Sequence, residues 1–167
     1  MCPESSCALC LALISSVAAL LTSCSTPAMH QVLDRGEASG ITEEERQVIV
    51  AGDAAAFDAL HRRVMSTLIP PPPAPSIDFA KRIVVFVSIG QRSSGGYGLE
   101  IKSVACAGTS IEITVDAPEP TGEMRTMMIT QPYALVACDR CTGATHVRVK
   151  GGGFDQHPPV PIASKPR

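Results

Sequence analysis

The hydrophobic and polar positions of the chain change their period several times, and each period predicts a different element. Residues 83–89 are apolar on both faces, which is typical of a buried central strand. Residues 97–105 and 110–115 alternate between apolar and polar positions, as half-buried strands do. Because turn-forming residues separate these three segments, the pattern predicts a three-stranded antiparallel meander over residues 83–115.

A single helix is predicted before this strand-rich region, over residues 54–66. Asp53 follows a glycine and is a suitable N-cap. One apolar stripe recurs at helical spacing: Phe57, Leu60, Val64 and Met65. A strand over residues 43–51 is predicted to precede the helix, since it contains consecutive β-branched residues.

The remaining segments add strands and connectors. Residues 124–137 predict a further strand, in which Pro132 favours an edge position or a bulge. Residues 145–150 predict a last, polar strand. The proline run 69–75 is interpreted as a stiff polyproline connector, with a ligand for a proline-binding groove as the alternative. The predicted fold class is therefore α+β: a small, mainly antiparallel β-sheet domain with one helix.

The N-terminal apolar run, residues 7–22, is shorter than the about 20 residues that a membrane-spanning helix needs. It is typical of a secretory signal peptide. Its end, Leu21-Thr22-Ser23-Cys24, resembles the lipobox of bacterial lipoproteins, which implies cleavage before Cys24 and lipidation of that residue. The alternative is an ordinary secretory signal with a coincidental cysteine. The leader departs from the usual pattern because it contains Glu4 and no Lys or Arg before Cys24.

These segments predict four parts: a lipoprotein signal peptide over residues 1–23, a flexible tether over 24–40, a folded domain over 41–150 and a disordered tail over 151–167. The tail is assigned from its glycine triplet and prolines. The expected location is the bacterial cell envelope, where the membrane-anchored lipoprotein faces the periplasm or the cell surface.

Charge excludes one class of partner. The chain has 14 Lys+Arg and 16 Asp+Glu, a net charge of −2. Nucleic-acid binding requires clustered positive charge, so no nucleic-acid partner is expected. No cofactor is expected either.

Cysteine chemistry is the sharpest chemical pattern. Cys106, Cys138 and Cys141 follow the leader, and an exported domain favours a disulfide. We predict that Cys106 pairs with Cys138 or Cys141, and we favour Cys138 because pairing of residues 124–137 with 110–115 would bring it to the same end of the sheet. The alternatives are a Cys-x-x-Cys redox site at Cys138 and Cys141, or a zinc site that adds Cys106 and His146.

The glycine loop, residues 90–98, is a second candidate site. Its glycines lead into a strand, whereas phosphate-binding loops open a helix, so a hairpin connection is predicted. Tyr97 is interpreted as a cross-strand packing residue. The residues of this loop that we select as a binding site are Ser94, Gly95, Gly96 and Tyr97.

Several motifs in order resemble one family. They are Asp78-Phe79, the apolar strand 83–89 ending in Gly90, Ser94-Gly95-Gly96-Tyr97, Glu100-Ile101 and Gln131-Pro132-Tyr133. Over residues 39–137 the chain resembles the C-terminal domain of the PrcB-type protease complex subunit. It departs from the pattern at Ser94, where Thr is usual, and in a helix without the Trp that many members contain.

This resemblance implies a non-catalytic envelope accessory domain that binds or assembles a partner protein, for which a protease is the candidate. No enzyme signature is identified, and no catalytic or metal-binding residues are expected. Exposed sheet edges and the Gly-Gly-Tyr segment are the expected contact sites, because edge strands are templates for strand addition. The alternative function is an envelope thiol, redox or metal-binding protein that uses Cys138 and Cys141.

Overall fold

The structure is a computed structural model that describes residues 26–121 and 127–163. The predicted signal peptide and the lipidation residue Cys24 lie outside the described residues. Within the described ranges, no helix has the length and apolar character to cross a membrane.

Two sheets and one helix form the fold. The strands are β1 (Thr26–Pro27), β2 (His30–Gly36), β3 (Gln47–Ala51), β4 (Arg82–Ser88), β5 (Glu100–Ala107), β6 (Ser110–Asp116), β7 (Tyr133–Asp139), β8 (His146–Lys150) and β9 (Val160–Pro161). Helix α1 (Ala54–Val64) continues into a 3-10 turn, Met65–Thr67. The five-stranded sheet has the order β1-β5-β6-β8-β9 and the four-stranded sheet β2-β7-β4-β3. All neighbouring pairs are antiparallel except β6 and β8, which confirms the α+β class.

The sheets and the helix stack in three layers with two cores. The first core lies between the sheets and contains Val85 and Val136 from the four-stranded sheet, with Ile113 and Val149 from the five-stranded sheet. The second core lies between the four-stranded sheet and α1. The four-stranded sheet is therefore the middle layer, covered on both faces.

This middle position explains why β4 is apolar at almost every residue. Val85 and Val87 point into the core between the sheets, whereas Val84 and Phe86 point into the core under the helix. β4 pairs with β3 on one side and β7 on the other. The prediction of a buried central strand is confirmed.

Helix α1 also agrees with its prediction. The Asp53 side chain accepts a hydrogen bond from the backbone N–H of Ala56, 2.9 Å away, and so caps the helix N-terminus. The predicted apolar stripe is buried against the sheet. His61 is buried as well, although it is not one of the four residues of that stripe.

The predicted meander is wrong in its first connection. β5 and β6 form an antiparallel hairpin, but β4 belongs to the other sheet. An all-apolar strand needs cover on both faces, and the five-stranded sheet has a polar outer face, where Lys102 and Lys150 pair with Glu100 and Glu112. β4 therefore lies in the middle layer.

The predicted pairing of residues 124–137 with 110–115 is also wrong. β7 begins after Pro132 and lies at the centre of the four-stranded sheet, between β2 and β4. The second neighbour of β6 is β8, which runs parallel to it.

The described parts of two segments that were expected to lack structure contain strands. β2 falls within the predicted tether 24–40 and pairs with β7 along its length. Within the predicted tail 151–167, β9 pairs with β8, and Phe154 is fully buried in the core between the sheets. Gly151, Gly152 and Gly153 have φ angles of 75°, 53° and 80°, which lets the chain turn and return Phe154 to that core. The folded unit is therefore longer at both ends than the predicted domain 41–150.

Candidate functional site

The glycine loop crosses from one sheet to the other. It follows the C-terminal end of β4 in the middle layer and leads into β5 of the five-stranded sheet. Gly90 and Gly96 have φ angles of 78° and 90°, which favour glycine. The hairpin prediction is therefore wrong, since a hairpin joins neighbouring strands of one sheet. The loop leads into a strand, as the sequence indicated, and offers no helix N-terminus for a phosphate.

A short bridge holds this loop against the segment before β7. The backbone N–H of Arg92 donates to the carbonyl of Thr130 at 2.8 Å, and the reverse bond is 2.9 Å. The Thr130 hydroxyl donates to the Ser94 carbonyl at 2.9 Å. The loop is thereby fixed by residues that lie far from it in sequence.

The four predicted binding residues divide into two pairs. Ser94 and Gly95 are buried, so their side of the loop supports the fold. Gly96 is exposed, and Tyr97 is half-buried against the core between the sheets. The guanidinium carbon of Arg92 lies 5.8 Å from the centre of the Tyr97 ring, within cation–π range. Gly96 and Tyr97 are the members of the predicted set that a partner can reach.

An exposed apolar segment, Met127–Met128–Ile129, precedes Thr130. The exposed fractions are 92% for Met127, 54% for Met128 and 70% for Ile129. Adjacent exposed apolar residues mark interaction surfaces, and methionine adapts to different partners. Sequence reasoning assigned these residues to a strand and so missed them. The signal present in the sequence is a Met-Met-Ile run between a Pro/Gly loop and Pro132.

A cleft lies between β2 and the start of β5, next to Tyr97 of the glycine loop. Two adjoining cavities of about 180 and 330 Å³ form this edge cleft, and Arg35, Leu99 and Glu100 line both. Val32 lies in the smaller cavity and Tyr97 in the larger. The cleft therefore connects the predicted Gly-Gly-Tyr segment to a sheet edge.

β2 supplies that sheet edge. It pairs with β7 on one side and is the terminal strand of the four-stranded sheet. An edge strand directs about half of its backbone N–H and C=O groups away from its neighbour, where another strand can pair with them. The sequence predicts an exposed sheet edge but does not identify β2 as that edge, because it places residues 30–36 in the tether.

The cysteines are arranged differently from the favoured prediction. Cys106 forms a disulfide with Cys141, the second of the two candidate partners, with a Cα–Cα distance of 5.6 Å. Cys138 is wrong as the partner because it lies in central strand β7 and points into the core between the sheets. Cys141 follows β7, where the chain turns toward β8 of the five-stranded sheet.

This arrangement removes the thiol pair that a redox site would use. Cys141 is engaged with Cys106, and burial, followed by the charge of Asp139, raises the pKa of the Cys138 thiol to about 12. A redox-active cysteine requires an accessible thiolate. The proposed zinc set is also dispersed: two of its thiols form the disulfide, and no cluster of three or more His, Cys, Asp or Glu among the described residues could hold a metal ion.

Comparison with known protein families gives a match to part of the chain. The model of the family described as PrcB C-terminal matches residues 83–139. The matched span runs from β4 to β7 and includes the glycine loop and the apolar segment. The resemblance inferred from the motifs is confirmed over this span. No curated protein and no solved structure matches the chain.

Proposed function

We propose that this protein is a non-catalytic accessory subunit of the bacterial cell envelope that binds a partner protein at the membrane. The match to the PrcB C-terminal family supports association with a protease complex, so we propose a protease-complex protein as the partner. The observation that carries the proposal is the apolar segment, with Met127 and Ile129 at 92% and 70% exposure beside the glycine loop.

Two neighbouring features support the same surface. The apolar segment provides side chains that lose contact with water when a partner covers them. This burial favours binding by about 25 cal/mol per Å² of apolar area. The edge cleft provides unpaired backbone groups of β2, to which an extended segment of the partner can add as a strand. The carbonyl of Glu37, just after β2, accepts a hydrogen bond of 2.6 Å from Gln131, so the two features lie close together.

Membrane attachment through Cys24 is a separate part of the proposal. Its support is the Leu21–Cys24 sequence at the end of an apolar run that is too short to span a bilayer. Mass spectrometry of the mature N-terminus is expected to find a diacylglyceryl cysteine at Cys24. An unmodified chain that begins at a different residue would contradict the anchor without affecting the proposed partner surface.

The partner proposal is tested by affinity capture from detergent-solubilised envelope. The wild-type protein is expected to recover a protease-complex protein, and Met127→Asp with Ile129→Asp is expected to lose it, because two charges replace the exposed apolar contacts. Ile69→Asp is the matched control. Ile69 is 96% exposed at the start of the proline run, residues 69–75, away from this surface. Equal recovery by the double variant and the control would contradict the proposed surface, and capture of no protease-complex protein by the wild type would contradict the proposed partner.

A further inference from the structure

A larger cavity, of about 420 Å³, lies on the helix side of the four-stranded sheet. Its floor is apolar and buried, formed by Val64, Met65 and Leu135. Its rim is exposed and formed by Leu68 and the proline segment. Ligand cavities usually measure about 300–1,000 Å³ and combine an apolar lining with a few polar groups. We call this cavity the His61 cavity after its most buried polar residue.

The His61 side chain lines this cavity and forms no hydrogen bond with the described residues. The residue is only 5% exposed, and its ring nitrogens bond to no residue in the part of the chain that the structure describes. Its ring contacts the Phe57 ring at a centroid distance of 5.7 Å. No side-chain nitrogen or oxygen among the described residues is both fully buried and unpaired, so the ring nitrogens of His61 keep access to the cavity. The His61 imidazole is therefore available to a bound molecule.

A carboxylate lines the same cavity. Asp34 Oδ2 accepts a hydrogen bond from the Tyr133 hydroxyl at 2.6 Å. Burial and this bond raise the pKa of Tyr133, which keeps the hydroxyl protonated and able to donate. No Lys, Arg or His among the described residues forms an ion pair with Asp34. Oδ1 of this carboxylate is therefore left for a donor that enters from outside.

We propose that the His61 cavity binds a small molecule that has an apolar body and a protonated amine. The ammonium group would donate hydrogen bonds to Asp34 and to a ring nitrogen of His61, and the apolar body would cover Val64, Met65 and Leu135. The negative charge of Asp34 disfavours carboxylate and phosphate ligands. The proposal goes beyond the partner surface, because the floor of the His61 cavity lies on the helix side of the middle sheet; Tyr133 lines both this cavity and the larger cavity of the edge cleft.

The test uses 2-phenylethylammonium as the probe and NMR titration of the isotope-labelled full-length chain. Chemical shifts of His61, Val64, Met65 and Leu135 are expected to move together on one binding curve. Two probes of similar shape provide the controls: 2-phenylethanol, which is neutral, and 3-phenylpropanoate, which is negative. Each is expected to bind at least about tenfold more weakly, as the loss of a charge-assisted hydrogen bond predicts.

A pair of variants tests the role of the carboxylate. Asp34→Asn keeps a hydrogen-bond acceptor for Tyr133 but removes the charge. It is expected to lower the affinity for the ammonium probe by about tenfold. Asp58→Asn is the matched control, since Asp58 is exposed on α1 and does not line the cavity. The proposal is overturned if the three probes bind the wild type equally, or if the ammonium probe shifts none of these residues at concentrations up to about 20 mM, which corresponds to negligible affinity. The probe series is measured on the wild type, so it remains decisive if Asp34→Asn does not fold.

Discussion

Removing the Cys106–Cys141 disulfide is expected to cost a large part of the stability of the domain. The two residues are 35 positions apart, and the chain-entropy model assigns a loop of that length about 4 kcal/mol at 25 °C. Small domains are stable by only about 5–15 kcal/mol. With a urea slope of about 2 kcal/mol per M, the Cys106→Ser/Cys141→Ser variant should unfold at a midpoint about 2 M lower than the wild type.

Single variants decide between the two candidate pairings in the same urea assay. Cys141→Ser should lose as much stability as the double variant, because either change opens the loop. Cys138→Ser should retain the disulfide and its contribution, although it places a hydroxyl in the core. Reduced wild-type protein should unfold at the same urea midpoint as the double variant. A loss below about 1 kcal/mol in the double variant, or a disulfide that survives Cys141→Ser, would refute the reasoning.

Three further changes follow from the fold. Phe154→Ala should lower the free energy of unfolding by about 3–5 kcal/mol in urea titration, because Phe154 is fully buried between the sheets; an unchanged midpoint would show that residues 151–163 are not part of the core. Asp53→Ala should cost about 1 kcal/mol through loss of the bond to Ala56, with Asp53→Asn as the control that retains the cap. The stability that the buried Cys138 thiol contributes is present below its ordinary pKa of 9.0 and is lost as pH rises toward the folded value of about 12. Unfolding free energy should therefore fall from about pH 9 upward, less steeply in Cys138→Ala, and equal slopes would contradict the burial of the thiol.

The elements that sequence predicts well are those whose own residues define their surroundings. The apolar stripe and the Asp53 cap define α1 because both depend on neighbours within a few turns. β4 was predicted as a buried central strand because both of its faces are apolar. The pattern does not show which sheet contains β4. A strand that is apolar on both faces must be packed on both sides, but its own residues do not determine which elements pack against it.

The errors concern segments whose structure depends on distant partners. β2 has two apolar side chains, Val32 and Leu33, and it becomes a strand because the edge of β7 is available to pair with it. Phe154 follows three glycines, a composition typical of disorder, yet it fills a space between two sheets. The choice between Cys138 and Cys141 likewise depended on the location of β7 rather than on spacing.

Only part of the candidate site is predicted from the sequence, because the rest depends on contacts between segments that are distant in sequence. Gly96 and Tyr97 were selected from the glycine loop and lie at an accessible surface. The sequence pattern predicts one strand over residues 124–137 and so does not reveal the apolar segment, whereas β7 begins only after Pro132. Its position beside the loop depends on the bridge between Arg92 and Thr130, which no local pattern encodes.

Site-specific photo-crosslinking in living cells tests the central claim most directly. A photoreactive residue is introduced at Ile129 in the apolar segment, at Val32 in the edge cleft and, as a control, at exposed Asp58 on α1. The account predicts that Ile129 and Val32 cross-link to the same protease-complex protein, identified by mass spectrometry, and that Asp58 does not. Absence of a protein adduct at Ile129 and Val32, or the same adduct at all three positions, would contradict it.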